Sequence, residues 1–307
     1  MREAAVNGRR QAPSFAYPAL LLALFVISFL IPVAFAARVL GFFNSSPGQP
    51  ARDAFQGARE MRGSASQLEV LGSKDLQPVA DEDFLLTGWF KLLRMPKPGE
   101  RIMLFSKYDG IGPAFAGYAV ELQRKGEDLV PLVYWRDARS TGRWYYFSKV
   151  RIVPKSWFML ALSFQDSKAL GLHVASMHLY EEERLQLLGG YSFDPPIVPY
   201  SSSHLMIGGQ GSMAFRGMVG PIGVFSAEKI PDDYQQLYAE MIEQPMVIPP
   251  KLEESARFWS IDGRKDLTSA GRKIQRATTA SRSRDAGKDR AETADARRRR
   301  GGGNRAG

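Results

Sequence analysis

From about residue 78 to residue 240 the chain runs as short stretches of strand-forming residues separated by turn formers, and this rhythm constrains the fold more than any other feature. Phe84–Phe90 is rich in apolar and β-prone residues, and Met95-Pro96-Lys97-Pro98-Gly99-Glu100 breaks the chain after it. Further strands are expected at Arg101–Ser106, Tyr118–Leu122, Leu129–Trp135, Arg143–Val150, Trp157–Phe164, Leu170–Tyr180, Leu205–Ile207 and Met218–Phe225. About nine strands with no helix among them predict an all-β fold of two packed sheets. A short helix is expected over Asp232–Ile242, with Tyr234, Leu237, Tyr238 and Met241 on one face. Pro245, Pro249 and Pro250 stop it from continuing.

The N-terminus carries a different signal. Phe15–Ala37 is a run of 23 residues whose only clearly polar side chain is Ser28, and Arg2, Arg9 and Arg10 precede it. As a helix it would be roughly 35 Å long, enough to cross the hydrocarbon core. It lacks the polar face of a soluble helix. The basic flank belongs in the cytoplasm, which places the rest of the chain on the exported side. Two readings stand. The length of the run favours an uncleaved anchor in a single-pass membrane protein. Ala34-Phe35-Ala36 fits a signal-peptidase site, which would release a secreted protein beginning at Ala37. The expected organisation is a basic cytoplasmic region (1–14), the anchor or signal (15–37), a linker (38–77), the β domain (78–242), a Pro-containing connector (243–263) and a disordered basic tail (264–307).

Charge separates the tail from the rest. The formal net charge is +9, and residues 264–307 hold 14 Lys/Arg against 5 Asp/Glu, while residues 1–263 balance at 27 against 27. The tail has few large apolar residues and is expected to be disordered. Its run Arg297, Arg298, Arg299, Arg300 suits anionic lipid headgroups or acidic polymers, because the guanidinium fork binds phosphate and carboxylate in bidentate fashion. Nucleic acid is argued against by the exported topology. The chain has no cysteine, which excludes disulfides, thiolate zinc sites and cysteine nucleophiles.

Several pieces share an order and spacing. They are Thr87-Gly88-Trp89-Phe90, Leu104-Phe105-Ser106-Lys107, Gly117-Tyr118-Ala119-Val120-Glu121-Leu122, Ser156-Trp157-Phe158-Met159, Leu205-Met206-Ile207-Gly208-Gly209, and the Phe215-Arg216-Gly217 step into the last strand. Over residues 80–240 this resembles the laminin G-like branch of the concanavalin A-like jelly rolls. The resemblance implies a two-sheet jelly-roll sandwich followed by a short helix. Calcium-binding members place an Asp just before the strand matching Tyr118–Leu122, where this chain has Gly117, and it has Gly220-Pro221 where an acidic residue is common. The resemblance therefore carries over no calcium site, and no cofactor is expected.

The same fold hosts glucanases, whose Glu-x-Asp-x-Glu alternation puts carboxylates on one strand face. No such triplet occurs. Glu181-Glu182-Glu183 is consecutive and reads as a solvated turn. His173, His178 and His204 do not form a zinc pattern, and no Gly-x-Ser-x-Gly, phosphate loop or dinucleotide fingerprint is present. Trp89 and Trp157 read as core residues. The densest cluster is a hairpin, Tyr134-Trp135-Arg136 against Arg143-Trp144-Tyr145-Tyr146. Trp135 and Trp144 are expected as cross-strand neighbours on one face, with Tyr134, Arg136, Arg143 and Tyr145 on the other. Aromatic rings beside Arg and Tyr donors suit sugars, and simple core packing is the competing reading. The expected function is a non-enzymatic exported binding or adhesion module for a glycan or an envelope protein. The alternatives are an accessory subunit of a membrane complex and, third, a diverged glycoside hydrolase.

Overall fold

The computed structural model describes residues 55–276, apart from 56, 64–65, 74, 80, 110–115, 137–141, 168–171, 194–200, 210 and 231–233. The apolar segment 15–37 and Arg297–Arg300 lie outside the described residues. Among the described residues no helix is long and apolar enough to cross a membrane.

The strands in chain order are β1 (Arg59–Arg62), β2 (Leu68–Val70), β3 (Asp83–Leu92), β4 (Arg101–Asp109), β5 (Ala116–Lys125), β6 (Asp128–Arg136) and β7 (Arg143–Tyr146), then β8 (Trp157–Ser167), β9 (Leu172–Glu181), β10 (Arg184–Phe193), β11 (Leu205–Ile207), β12 (Arg216–Ala227), β13 (Ala256–Ser260) and β14 (Ile274–Arg276). Helix α1 (Tyr234–Glu243) lies between β12 and β13. They form two sheets, with every pairing antiparallel. The first runs β1-β12-β3-β8-β9-β10, with β13 also on β12; the second runs β14-β2-β11-β4-β5-β6-β7.

Strand alternation sends one face of each sheet into a shared core. Phe84, Leu86, Phe90, Leu160, Leu162 and Phe164 of the first sheet meet Leu104, Phe105, Val120, Leu122, Val133 and Trp135 of the second. The Trp135 indole stacks on Phe164 with ring centroids 3.7 Å apart. The outer face of the first sheet is also apolar, through Leu85, Trp89, Met159, Tyr180 and Phe225. Helix α1 covers it with Leu237, Tyr238 and Met241, and Trp259 of β13 joins them. The long strand β12 serves β1 with its first half and β13 with its second. The change falls at Gly220-Pro221, where its register with β3 also shifts. A proline cannot donate to a ladder, so it sits at such an irregularity.

The domain is larger than 78–242. The expected linker 38–77 contributes β1 and β2, the expected connector 243–263 contains β13, and the expected disordered tail is folded as far as Arg276. These strands have three to five residues, too few to show a period. Long-range polar contacts hold the last one. Asp266 is buried and accepts from the Thr268 and Arg272 N–H groups at 3.0 Å each and from Thr268 Oγ1 at 2.8 Å. Arg272 in turn donates to the Asp75 carboxylate and the Arg257 carbonyl. With Arg276 as the limit, residues 1–276 hold 32 Lys/Arg against 28 Asp/Glu, so the chain up to that point is mildly basic rather than neutral.

The acidic run also differs from expectation. Glu182 and Glu183, at φ of 46° and 65°, make the turn between β9 and β10 without a glycine. Glu181 closes β9 and is buried, its carboxylate accepting from the Val153 N–H. Burial raises its pKa to about 7, with the Val153 hydrogen bond working against this.

Candidate functional site

The outer face of the second sheet bears the aromatic cluster. Register pairs Tyr134 with Trp144 and Trp135 with Arg143 across β6 and β7. The two tryptophans therefore lie on opposite faces, contrary to the expected pairing, which was one residue out of step. Trp135 enters the core, and Arg143 and Tyr145 share its side of the sheet. Tyr145 packs edge-on against Tyr191 of β10, centroids 4.9 Å apart, at the margin of the sandwich. Tyr134, Trp144 and, by alternation, Arg136 belong to the outer face. Of the six residues expected to bind together, the structure gives three to each side.

Around Tyr134 and Trp144 the outer face gathers residues from β4 and β5. Tyr134 and Trp144 have ring centroids 5.1 Å apart and pack with Met103, Ala119, Tyr108 and Met213. The Tyr134 hydroxyl fills the place of a side chain at position 142, where a Cβ would come within 1.8 Å of it, so only Gly142 fits below the ring. The Arg101 guanidinium lies over the Trp144 ring, 4.8 Å from its centroid, and its Nη1 is 3.6 Å from Glu121 Oε2. On the same face Lys125 Nζ lies 4.9 Å from the centroid of Tyr146. At the far edge Gln275 of β14 donates to Glu69 of β2 at 3.1 Å.

Glu121 is the unusual member. Its side chain is 2 % exposed, against 31 % for Arg101, and its Oε2 has no hydrogen-bond partner. Burial raises its carboxyl to about 7, and the nearby Arg101 only partly opposes this. Neither residue was singled out from the sequence. The available signal was a lone carboxylate inside the alternating strand Tyr118-Ala119-Val120-Glu121-Leu122, where every neighbour is buried.

Gly117 adopts φ of 115°, and a Cβ there would lie 2.0 Å from the Lys107 carbonyl oxygen. The backbone therefore excludes a side chain where calcium-binding jelly rolls place an Asp. Among the described residues no group of three or more His, Asp or Glu gathers to hold a metal ion. Lys107 is fully buried and donates to the Ser201 and Ser203 carbonyls at 2.8 Å each.

No family model matches the chain, and no curated protein matches it in sequence. Solved structures do match. The enzymatically active domain of bacteriophage CBA120 tailspike protein 2 is 11% identical with a TM-score of 0.49, over 69% of this chain and 31% of that one. The CBM40 of Ruminococcus gnavus IT-sialidase is 11% identical with a TM-score of 0.39, over 61% of this chain and 96% of that one. The Trypanosoma rangeli sialidase is 12% identical with a TM-score of 0.38, over 62% of this chain and 28% of that one. This chain thus spans less than a third of the tailspike chain. At such scores the likenesses decide nothing about ligand or reaction, and the two-sheet assignment rests on the strand pairings.

Proposed function

We propose that this chain is a non-enzymatic carbohydrate-binding module of the laminin G-like, concanavalin A-like jelly-roll type, held on the exported side of a membrane by residues 15–37. One observation carries the reading. The outer face of the first sheet is closed by α1, whereas that of the second gathers Trp144, Tyr134, Arg101 and Glu121 in one cluster, which reaches the surface through half-exposed Trp144 and Arg101. Aromatic rings beside hydrogen-bonding charged groups match the apolar faces and hydroxyls of a sugar.

The carboxylate geometry supports binding over hydrolysis. Strand alternation places Glu69 and Asp128 on the same face as Glu121. Three inter-strand steps separate Glu69 from Glu121. Asp128 lies one strand across and four residues along. Each is roughly 14 Å away by strand geometry. Glycosidase carboxyl pairs stand about 5–9.5 Å apart. The cationic tail with Arg297–Arg300 would add a salt-dependent contact with anionic envelope polymers or lipid. The test is a glycan array probed with the full chain in a membrane mimetic, beside Trp144→Ala. Retention of glycans by the parent, lost in the variant, supports the reading. Absence of any glycan binding, with a membrane protein co-purifying stoichiometrically, replaces it with an accessory-subunit role.

A further inference from the structure

Resting on the carbohydrate-binding reading, we propose that the cluster is selective for acidic sugars, with the ligand's carboxylate seated on the Arg101 guanidinium between Trp144 and Glu121. The geometry of Arg101 leads to this. It is positioned by a ring face at 4.8 Å and a carboxylate at 3.6 Å, a distance too long for a hydrogen bond. Among the described residues its guanidinium makes no hydrogen bond, and its side chain is 31 % exposed. The arginine is thus held in place with N–H capacity unspent. A planar fork presented in this way matches a carboxylate, which takes two parallel N–H bonds. A neutral hydroxyl takes one and leaves the rest unused.

Glu121 makes the selectivity depend on protons. Its Oε2 is buried and lacks a hydrogen-bond partner. In register Glu121 is opposite Met103 on β4 and Leu132 on β6, with Tyr134 next on β6 and Trp144 beyond it on β7. Arg101 is the one charged group that acts on it appreciably among the described residues. An anionic ligand on Arg101 competes for that single compensating charge. Glu121 then takes a proton from solvent and changes from an acceptor without a donor into an O–H donor beside the ligand's oxygens. Because burial already holds this carboxyl at about 7, the uptake costs little near neutrality. The sign follows: affinity for the acid falls as pH rises above 7, by about tenfold per pH unit for one proton taken up. A neutral sugar donating a hydroxyl to Glu121 would show the opposite slope, since it needs the ionised acceptor. Lys125 over Tyr146, with Asp128 opposite it in register, lies on the same face and supplies a second cation for the next acidic residue of a polymer.

The experiment is calorimetric titration of the full chain in a membrane mimetic with tri-galacturonate and with its neutral methyl ester, at pH 6, 7 and 8. Expected results are at least tenfold tighter binding of the acid at pH 6, weakening toward pH 8. Arg101→Gln should lose that preference at pH 6, where Glu121 is protonated and the fold least needs the arginine's charge, and should melt lower than the parent at pH 8. Glu121→Gln, which cannot ionise, should bind the acid more tightly than the parent at pH 8 and flatten the profile. Equal affinity for acid and ester, or a profile rising with pH, overturns acid selectivity and leaves the carbohydrate reading standing. If neither probe binds and the glycan array is also blank, the carbohydrate reading fails and the selectivity falls with it.

Discussion

On the first sheet the side chains of the outward face, Leu85, Trp89, Met159 and Phe225, are sealed beneath α1 and Trp259. On the second the equivalent positions carry Glu121, Tyr134, Trp144 and Arg101, with Met103, Ala119, Val130 and Leu132 buried among them. The same period of two builds both faces. The difference lies in what the chain supplies afterward: a short amphipathic helix for one sheet and polar side chains for the other. An apolar outer face has to be covered, and covering it leaves no room for a ligand. The second outer face is also buried at its centre, at Tyr134, Glu121, Leu132 and Met103, and meets solvent through Arg101, Trp144 and Tyr146; there a buried carboxylate is tolerated because an arginine stands close by. Burial shifts a titratable group on each face in opposite senses, lowering His178 beneath Tyr238 on the covered side and raising Glu121 on the second sheet.

The comparison can be broken at four points. The largest effect belongs to the covered face. Leu237→Ala removes a fully buried side chain from the α1 interface and should cost about 3 kcal/mol in urea unfolding, with glycan binding unchanged at temperatures where the variant is folded. A loss below about 1 kcal/mol would mean that the helix does not seal the sheet. Next comes His178. Burial lowers its pKa to about 4, below the usual value of 6.5. Its contribution is present above 6.5 and is lost as pH falls toward 4. His178→Leu should therefore shrink the acid-side loss of stability by about 2 kcal/mol between pH 6.5 and 4.5.

Glu121 acts in the other direction. Its folded pKa of about 7 lies above the usual carboxylate value of 4.5. Its stabilisation is complete below 4.5 and disappears as pH rises through 7. Between 4.5 and 6.5 the two groups oppose each other, so the clean window is pH 6.5 to 8. Glu121→Gln should gain about 1–2 kcal/mol at pH 8, and a residual slope should remain from Glu181, which burial shifts in the same direction. A thermal-melt series across that window with no difference between parent and variant would place Glu121 in water. The smallest effect is that of Trp144→Ala on stability, about 1 kcal/mol or less for a half-exposed side chain, although the same change should abolish glycan retention.

Most strands from Phe84 to Phe225 could be read from composition and turn residues, because the longer ones declare a period and short β11 is marked by the Gly208-Gly209 turn after it. The short strands β1, β2 and β14 could not, since three or four residues have none, and they exist only through partners more than a hundred positions away. β10 was missed for another reason: Gly189-Gly190 interrupts its alternation, at an irregularity in its pairing with β9. The hairpin of β6 and β7 shows how register decides a site. The residue types suit ligand contact, yet a shift of one residue exchanged Trp135 for Tyr134 as the partner of Trp144. Arg101 reaches that cluster from β4, two strands beyond the hairpin, a neighbourhood that local sequence does not encode.

The pairing of the first strands with the last has a consequence for how the protein is made. Glu69 meets Gln275 across 206 positions, and Arg59 meets the Gly263 carbonyl across 204. β1 pairs with β12, and β2 with β11 and β14, so both wait for segments made more than a hundred residues later. The first sheet is complete only with β13 and the second only with β14, so neither closes on its N-terminal half alone. A truncated product ending before β12 would be left with two open sheets and no means of closing them.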